Sequence, residues 1–302
     1  MEVISVLIDP ILPVFAIMAL GFVMGRTEIT TVDDARVVNR FAMSVLLPIM
    51  VFDLIANAPV HLFSITPLLI YGGGQLLVFV AGYFLATRIF GIDREQSVLL
   101  AFCGVFANNV LYVLPISEIL YGKDQILPIT SIITWDASFA FGGAIIFLQL
   151  IILGKVAPSK VAKTLGTNPI LIALVAGLAF AFADLPIPTP VQTFLDFNSA
   201  AAAPVALFAM GVVLSQTRFK IEREVLSFTL IKLLIFPFII WLGLEFLTPA
   251  EPGREQYLLG AAGPSGAMAF TLAFLHGIRT DAIAQVIVIT SVLTLISLAL
   301  LA

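Results

Sequence analysis

The sequence contains little charge and almost no cysteine or histidine. Charged residues make up 11% of the 302 residues, whereas they make up about a quarter of an ordinary soluble domain. Cys103 is the only cysteine, and His61 and His276 are the only histidines. This excludes an internal disulfide and predicts no metal site. The formal net charge of -4 provides no basic patch, so no nucleic-acid partner is expected.

The chain consists mostly of apolar segments. Hydrophobic residues account for 60% of it, and the mean hydropathy is +1.11. A membrane-spanning helix needs about 20 apolar residues, so the length leaves room for about ten spans and no separate soluble domain. Residues 1–25 lack the basic start and the cleavage site of a signal peptide, which predicts a retained first span. The sequence thus predicts an all-α polytopic membrane protein with spans at residues 4–25, 37–56, 65–90, 101–122, 125–154, 168–183, 191–214, 225–247, 256–277 and 281–302.

The basic residues alternate between the predicted loops. Twelve Lys and Arg residues fall in odd-numbered loops and two in even-numbered loops, while Lys232 lies within the eighth span. Cytoplasmic loops carry the excess of positive charge. The count therefore predicts a plasma (inner) membrane protein with both termini outside the cytoplasm.

The two halves of the sequence resemble each other at a nearly constant offset. Residues 9–12 recur as residues 168–171, and Pro48 recurs as Pro204. Repeated motifs in the same order predict an internal repeat, and a repeat of five spans must place its second copy upside down. The predicted division is residues 1–155 for the first five-helix repeat, 156–167 for a cytoplasmic linker, and 168–302 for the second, inverted repeat.

The fourth and ninth spans contain residues that break helices. Asn108, Asn109 and Pro115 lie within the fourth span, and the repeat aligns Asn108 with Pro264 in the ninth. Because a proline removes one helical hydrogen bond, we expect the fourth span to be interrupted over residues 108–115 and the second span to be interrupted at Pro48. Broken helices that cross at the midplane of inverted repeats are typical of secondary transporters. The amino ends of half-helices favour an anion, so the crossing is a candidate site for an anionic solute.

Two charged residues, Asp136 and Lys232, lie deep within predicted spans. A mid-span carboxylate such as Asp136 costs roughly 2.5 to 3.5 kcal/mol on insertion scales, so it should face a cavity or a partner. It is a candidate for coupling to a proton or a sodium ion, and a structural hydrogen bond to a neighbouring helix is the alternative. Lys232 either extends to the membrane surface or pairs with Asp136 or a substrate carboxylate.

The motifs of the broken spans resemble those of a known family. Residues 108–115, residues 264–270 and the Leu47-Pro48 pair resemble the auxin efflux carrier family, which includes plant PIN carriers and bacterial malonate and malate carriers. The resemblance implies ten helices in two inverted repeats and elevator-type alternating access. It also implies a scaffold of spans one, two, six and seven, through which a homodimer would form.

The resemblance also assigns particular positions. Asn108, Pro115 and Pro264 match the crossover positions of the family. Met268 stands where the larger plant carriers tend to have a second proline, and the chain lacks their long central loop. A bacterial-type dicarboxylate carrier is therefore the closer match.

The resulting hypothesis is a secondary active transporter, not an enzyme, for a small organic anion such as malonate or malate. No cofactor is expected beyond a coupling proton or sodium ion. An anion channel or a sodium-coupled bile-acid-type symporter of the same architecture is the alternative, and an intramembrane aspartyl protease using Asp53 and Asp136 is a rival from another class. Tyr112 either contacts the solute or packs, and Ser265 and Gly266 either offer N–H groups or permit close packing. The predicted substrate-binding residues are Asn108, Asn109, Tyr112, Pro115, Pro264, Ser265, Gly266 and Met268, and the predicted ion-coupling residues are Asp136 and Lys232.

The charge alternation predicts the accessibility of tags. An epitope tag at either terminus should be labelled by antibody on intact spheroplasts, because both termini are predicted to lie outside the cytoplasm. A tag inserted in the linker 156–167 is the control and should be labelled only after permeabilisation. Labelling of the terminal tags only after permeabilisation would reverse the predicted orientation.

Overall fold

The computed structural model describes residues 16–154, 166–216 and 222–301, together with positions 13, 159, 162 and 163. The start of the predicted first span and most of the predicted linker 156–167 lie outside the described residues. The helices in chain order are α1 (Ala16–Arg26), α2 (Val32–Ala56), α3 (Ile65–Ile89), α4 (Arg94–Cys103), α5 (Asn109–Tyr121), α6 (Leu127–Ile152), α7 (Pro169–Phe182), α8 (Thr189–Gln216), α9 (Arg223–Leu247), α10 (Arg254–Ala262), α11 (Met268–Leu275) and α12 (Asp281–Leu301).

This architecture agrees with the predicted all-α membrane protein. Within the described residues the only β-structure is one isolated bridge. Five helices, α2, α3, α6, α8 and α9, are long and apolar enough to cross a membrane. The chain is therefore a multi-pass membrane protein, while the count of ten spans and the inverted repeat stay predictions.

Prolines within the long helices are accommodated by widened helical turns. Three five-residue π turns, at Ala42–Leu46, Asn109–Val113 and Ile231–Ile235, each end two residues before a proline. A proline cannot donate to the carbonyl four residues earlier, and its ring collides with that carbonyl. The wider turn moves the carbonyl away. Hence Pro48 lies inside the continuous helix α2, and the sequence-based expectation that it interrupts the second span is wrong.

The interruption of the fourth span lies earlier than predicted. The chain leaves the helix at residues 104–108, between α4 and α5, and it is helical again from Asn109 onward. The predicted interval 108–115 is therefore wrong in its extent, because the π turn before Pro115 absorbs the effect of that proline. The ninth span is interrupted at residues 263–267, between α10 and α11.

The helices form two compact units, and each unit combines segments from both halves of the sequence. Unit 1 contains Met1–Phe63, Val110–Thr134 and Thr164–Arg218. Unit 2 contains Ser64–Asn109, Trp135–Lys163 and Phe219–Ala302. Unit 1 thus includes α1, α2, α7 and α8, the helices of the four spans that the family resemblance assigns to a scaffold.

Unit 1 depends on close contact between α1 and α8. A Cβ atom added at Gly211 would collide with the main-chain carbonyl of Met18, and one added at Gly21 would collide with that of Phe208. Small residues let membrane helices approach to backbone contact. The two helices therefore touch where side chains are absent.

A polar network also joins α2 to α8 within unit 1. The carboxylate of Asp53 accepts hydrogen bonds from Gln192 Nε2 at 2.8 Å and from Ser199 Oγ at 3.0 Å. Asn57 Nδ2 donates a further bond of 2.9 Å to the same carboxylate. Asp53, half-buried, therefore connects two helices.

Glycines of α3 similarly determine the packing of unit 2. A Cβ atom added at Gly74 would meet Ile240 of α9, and one added at Gly72 would collide with the ring of Trp135. A Cβ atom at Gly73 would meet nothing within 4 Å. Two glycines of this run therefore serve helix packing, and the middle one faces open space.

The contact between α1 and α8 predicts the effect of one methyl group. Gly211→Ala should destabilise the protein by about 1–3 kcal/mol, because overpacking against a main-chain carbonyl cannot be relieved by a rotamer change. The expected result is a lower melting temperature in detergent. Gly73→Ala is the matched control and should leave the melting temperature unchanged or slightly raised, since its methyl group meets open space. Equal melting temperatures for the two variants would contradict the close contact.

Candidate functional site

The two helix interruptions of unit 2 are paired with each other. Asn108 N–H donates to the carbonyl of Pro264, and Gly266 N–H donates to the carbonyl of Phe106, both at 2.8 Å. These bonds form an antiparallel bridge between Ala107 and Ser265. Each non-helical segment thereby supplies hydrogen-bond partners to the other, as a membrane interior requires. We refer to residues 104–108 and 263–267 together as the crossing.

The close approach of the two non-helical segments explains why residue 266 is a glycine. A Cβ atom at this position would collide with the ring of Phe106 and lie 3.3 Å from the carbonyl of Ala107. The N–H group of Gly266, which the sequence analysis offered to a solute, is already bonded to the other segment. Of the two interpretations given for this glycine, the contacts support close packing.

Ser265 also makes its hydrogen bonds inside the unit. Its Oγ donates to the carbonyl of Cys103 at 2.7 Å, and its N–H donates to Thr290 Oγ1 at 3.1 Å. Cys103 is the last residue of α4, whose final carbonyls have no partner within the helix. Ser265, fully buried, therefore caps the half-helix that precedes the first interruption.

Lys232 performs the corresponding role at the second interruption. Its Nζ donates a 2.6 Å hydrogen bond to the carbonyl of Ala261, at the end of α10. The side chain is fully buried, with Nζ 5.0 Å from the centroid of the Phe236 ring. The alternative that Lys232 extends to the membrane surface is therefore wrong. A cation at the carboxyl end of a helix complements its partial negative charge.

Asp136 lies in a buried group of amide and aromatic side chains. Gln75 Nε2 donates to Asp136 Oδ1 at 2.7 Å, and Asn109 Nδ2 donates to Asp136 Oδ2 at 2.9 Å. Trp135 Nε1 in turn donates to Gln75 Oε1 at 2.9 Å. We call Gln75, Asn109, Trp135 and Asp136 the amide–carboxylate cluster. The carboxylate has a partner on each oxygen, as a buried charge requires, and it interacts electrostatically with Lys232.

The two asparagines of the fourth span keep unused polar groups. Asn108 and Asn109 are both buried, and Asn108 Nδ2 and Asn109 Oδ1 make no hydrogen bond with any described residue. Buried polar groups are bonded in the large majority of cases. Asn108 in the crossing therefore presents a free amide donor, and Asn109, the residue after it, presents a free amide acceptor.

Two predicted site residues belong to unit 1. Tyr112 is buried there, and its hydroxyl donates to Met18 Sδ at 3.0 Å and lies 3.8 Å from Met210 Sδ. Pro115 is the second residue of the α-helical part of α5, Leu114–Tyr121. Neither residue is part of the crossing. Contact of either one with a solute stays a prediction. Met268, in unit 2, is the first residue of α11 and is half-buried.

The rival assignment of Asp53 and Asp136 to one catalytic pair has no support in these contacts. Asp53 is bonded to Gln192 and Ser199 within unit 1. Asp136 is bonded to Gln75 and Asn109 within unit 2. Each carboxylate has its own set of donors.

The sequence analysis missed Gln75 and Thr290. Gln75 follows the glycine run within an apolar span, and an amide in the middle of such a span has to find a polar partner. The amide of Gln75 within an apolar span was therefore a signal that the sequence itself contains. Thr290 lies in an otherwise ordinary apolar helix, and its contact with Ser265 could be found only from the fold.

Comparison with known proteins places these observations in a family. The model of the family described as membrane transport protein matches residues 6–156 and 155–302. A protein of Rhizobium meliloti (strain 1021) named "Putative malonate transporter" is 25% identical over 296 residues, which cover 94% of this chain and 91% of the relative.

Two further relatives carry less specific names. An "Uncharacterized transporter" of Methanothermobacter thermautotrophicus is 24% identical over 97% of this chain and 96% of its own length. The "Uncharacterized transporter YfdV" of Escherichia coli (strain K12) is 24% identical over 85% of each chain. All three are named as transporters rather than as enzymes. Because the family model covers both halves, the chain belongs to the membrane transport protein family, the family of auxin efflux carriers that its motifs resemble.

Proposed function

We propose that the protein is a secondary active transporter of a small organic anion, with a dicarboxylate such as malonate or malate as the expected substrate. The observation that carries this proposal is the crossing, where two interrupted helices are hydrogen-bonded to each other beside the unused polar groups of Asn108 and Asn109. The name of the Rhizobium relative supports the choice of substrate.

The charge of the substrate follows from the half-helices. α5 begins at Asn109 and α11 begins at Met268, so both start next to the crossing. The first N–H groups of a helix have no partner within the helix, and they carry partial positive charge. A carboxylate is the kind of group that such ends bind.

The opposite ends of the broken helices do not cancel this effect. The carbonyl ends of α4 and α10 carry partial negative charge, but the hydroxyl of Ser265 and the ammonium of Lys232 are bonded to them. The partial positive charges at the amino ends of α5 and α11 are therefore the helix-end charges that remain without a counterpart at the crossing. Ser265 and Lys232 thus support the anion site without contacting the anion.

Asn108 and Asn109 are proposed to bind the substrate directly. The free Nδ2 of Asn108 is a donor for a carboxylate oxygen. The free Oδ1 of Asn109 accepts a hydrogen bond, for example from the hydroxyl of malate. Since Asn109 also holds Asp136, substrate binding and the state of that carboxylate would be linked.

Asp136 is proposed to couple transport to a proton or a sodium ion. No ATP-binding motif is present in the sequence, so the energy has to come from a gradient. The carboxylate is buried within the amide–carboxylate cluster and interacts electrostatically with Lys232. Uptake of a cation at Asp136 would change the charge of the site that carries the anion. The proposed movement is of the elevator type, with spans one, two, six and seven as the scaffold and the other spans carrying the substrate.

The substrate site is tested with Asn108→Ala. Loss of one hydrogen bond to a charged group costs about 1.5–3 kcal/mol, roughly a 10- to 150-fold loss of affinity. We expect malonate and malate counterflow in proteoliposomes at subsaturating substrate to fall by at least tenfold. The melting temperature should stay close to that of the unchanged protein, because Asn108 Nδ2 bonds to no described residue. Counterflow itself separates a carrier from a channel, since a channel shows no trans-stimulation.

Asn198→Ala is the matched control for this measurement. Asn198 is half-buried on α8, and among the described residues its Nδ2 bonds to the carbonyl of Phe194 one turn earlier. Counterflow by the Asn198→Ala variant should equal that of the unchanged protein. Unchanged counterflow of every carboxylate by Asn108→Ala would refute the site assignment.

The coupling role is tested with Asp136→Asn. The amide has the shape of the carboxyl but neither carries a charge nor takes up a proton at neutral pH. We expect exchange of substrate across the membrane to be kept and accumulation driven by a proton or sodium gradient to be lost. Asp53→Asn alters a second carboxylate, in unit 1, and should keep gradient-driven accumulation. Accumulation by Asp136→Asn at the normal level would show that coupling does not involve this residue.

A further inference from the structure

Unit 2 contains an apolar cavity that borders the crossing at Val105 and the amide–carboxylate cluster at Gln75 and Trp135. This cavity of about 460 Å³ lies between α3, the end of α4 and the second half of α6. Its walls are largely apolar and include five aromatic side chains, Phe79, Phe102, Trp135, Phe139 and Phe147. Of the described residues that line it, none is charged, and Gln75 is the one that carries an amide. The volume is in the range of ordinary ligand pockets, and the walls favour an uncharged, apolar occupant.

The cavity opens toward hydrocarbon. Three of its lining side chains, Leu76, Val80 and Phe139, are 65%, 43% and 63% exposed. They lie on α3 and α6, both of which are long and apolar enough to cross a membrane. Exposed apolar side chains on such helices face lipid chains. The molecule that meets this opening is therefore a lipid.

An exposed cation lies on α3 beyond one end of the cavity. Arg88 lies eight residues after the lining residue Val80, about 12 Å farther along the helix, within the π turn Leu85–Ile89. Arg88 is exposed and forms no ion pair with any described residue. At 1.5 Å per residue it lies about 20 Å along the helix from Gln75, a distance comparable with half of the hydrocarbon core, about 15 Å. A phosphate at Arg88 would thus place an acyl chain along the cavity.

We propose that this cavity binds one acyl chain of a membrane phospholipid, with the lipid phosphate at Arg88 and the methyl end of the chain beside Trp135. The site lies against the amide–carboxylate cluster, because Trp135 Nε1 bonds to Gln75 Oε1 and Gln75 Nε2 bonds to Asp136. A bound chain therefore packs on the residues that hold the buried carboxylate. This inference concerns lipid binding and holds whatever solute the protein transports.

The acyl chain can be detected through Trp135. The sequence contains two tryptophans, so Trp241→Phe leaves Trp135 as the only indole reporter. The protein is reconstituted in phosphatidylcholine vesicles whose acyl chains carry bromine near the methyl end, and Trp135 fluorescence is compared with that in unbrominated vesicles. We expect strong quenching by the brominated chains.

A cavity-filling variant separates a bound chain from the surrounding lipid. Gly143 lines the cavity, and a Cβ atom there would meet nothing within 4 Å, so Gly143→Leu should fill the space and reduce the quenching at least twofold. Gly73→Leu is the matched control, since Gly73 faces open space and does not line the cavity. Quenching that is absent, or equal in all three proteins, would overturn the proposal.

Lipid retained after purification gives an independent measurement. Native mass spectrometry should show a phospholipid that survives extended detergent washing, and this lipid should be lost or reduced at least twofold in Gly143→Leu and in Arg88→Gln. Ala140→Leu is a second filling variant, at another lining position, and is used if Gly143→Leu lowers the melting temperature. Lipid content unchanged in folded filling variants would also overturn the proposal.

Discussion

The structure of unit 2 depends on hydrogen bonds between two interrupted helices. A break in a membrane helix exposes main-chain N–H and carbonyl groups, each of which is costly to leave unpaired in hydrocarbon. Here each break supplies partners to the other, through Asn108 and Pro264 and through Phe106 and Gly266. Neither interruption would be stable alone. This mutual dependence explains why a glycine is required at the point of closest approach.

The remaining polar groups of the unit follow from the same constraint. The broken helices create two carbonyl ends inside the protein, and Ser265 and Lys232 are bonded to them. Lys232 is a buried cation, which needs a compensating charge, and Asp136 interacts with it electrostatically. Asp136 in turn needs donors, which Gln75 and Asn109 provide. Each polar group is thus needed by the one before it. The helix break requires Lys232, Lys232 requires Asp136, and Asp136 requires Gln75 and Asn109.

Much of this could be predicted from the sequence, and the failures have physical reasons. The low charge and long apolar segments predicted a multi-pass helical membrane protein, and Gly263-Pro264-Ser265-Gly266 correctly located the second break. The extent of the first break was wrong because Pro115 was assumed to end a helix, whereas a π turn accommodates it. Pro48 was misjudged for the same reason. Gln75 was missed because an amide is a weaker signal than a charge. The composition of the two units depends on contacts between distant segments, and no local pattern reports these.

The π turns have a consequence beyond accommodating prolines. Asn109 and Asp136 each begin such a turn, and Lys232 lies within one. One extra residue in a turn rotates the following part of a helix by about 100° relative to an unbroken α-helix. A helix that faces lipid along one stretch can therefore turn polar side chains inward at one level and resume its lipid-facing pattern beyond it. The turn at Asp136–Ala140 is not followed by a proline at the second position, as the other two are, so proline accommodation does not explain it. In α6 the π turn begins at the buried carboxylate itself, so the change of helical register falls at the level where Asp136 meets Gln75 and Asn109.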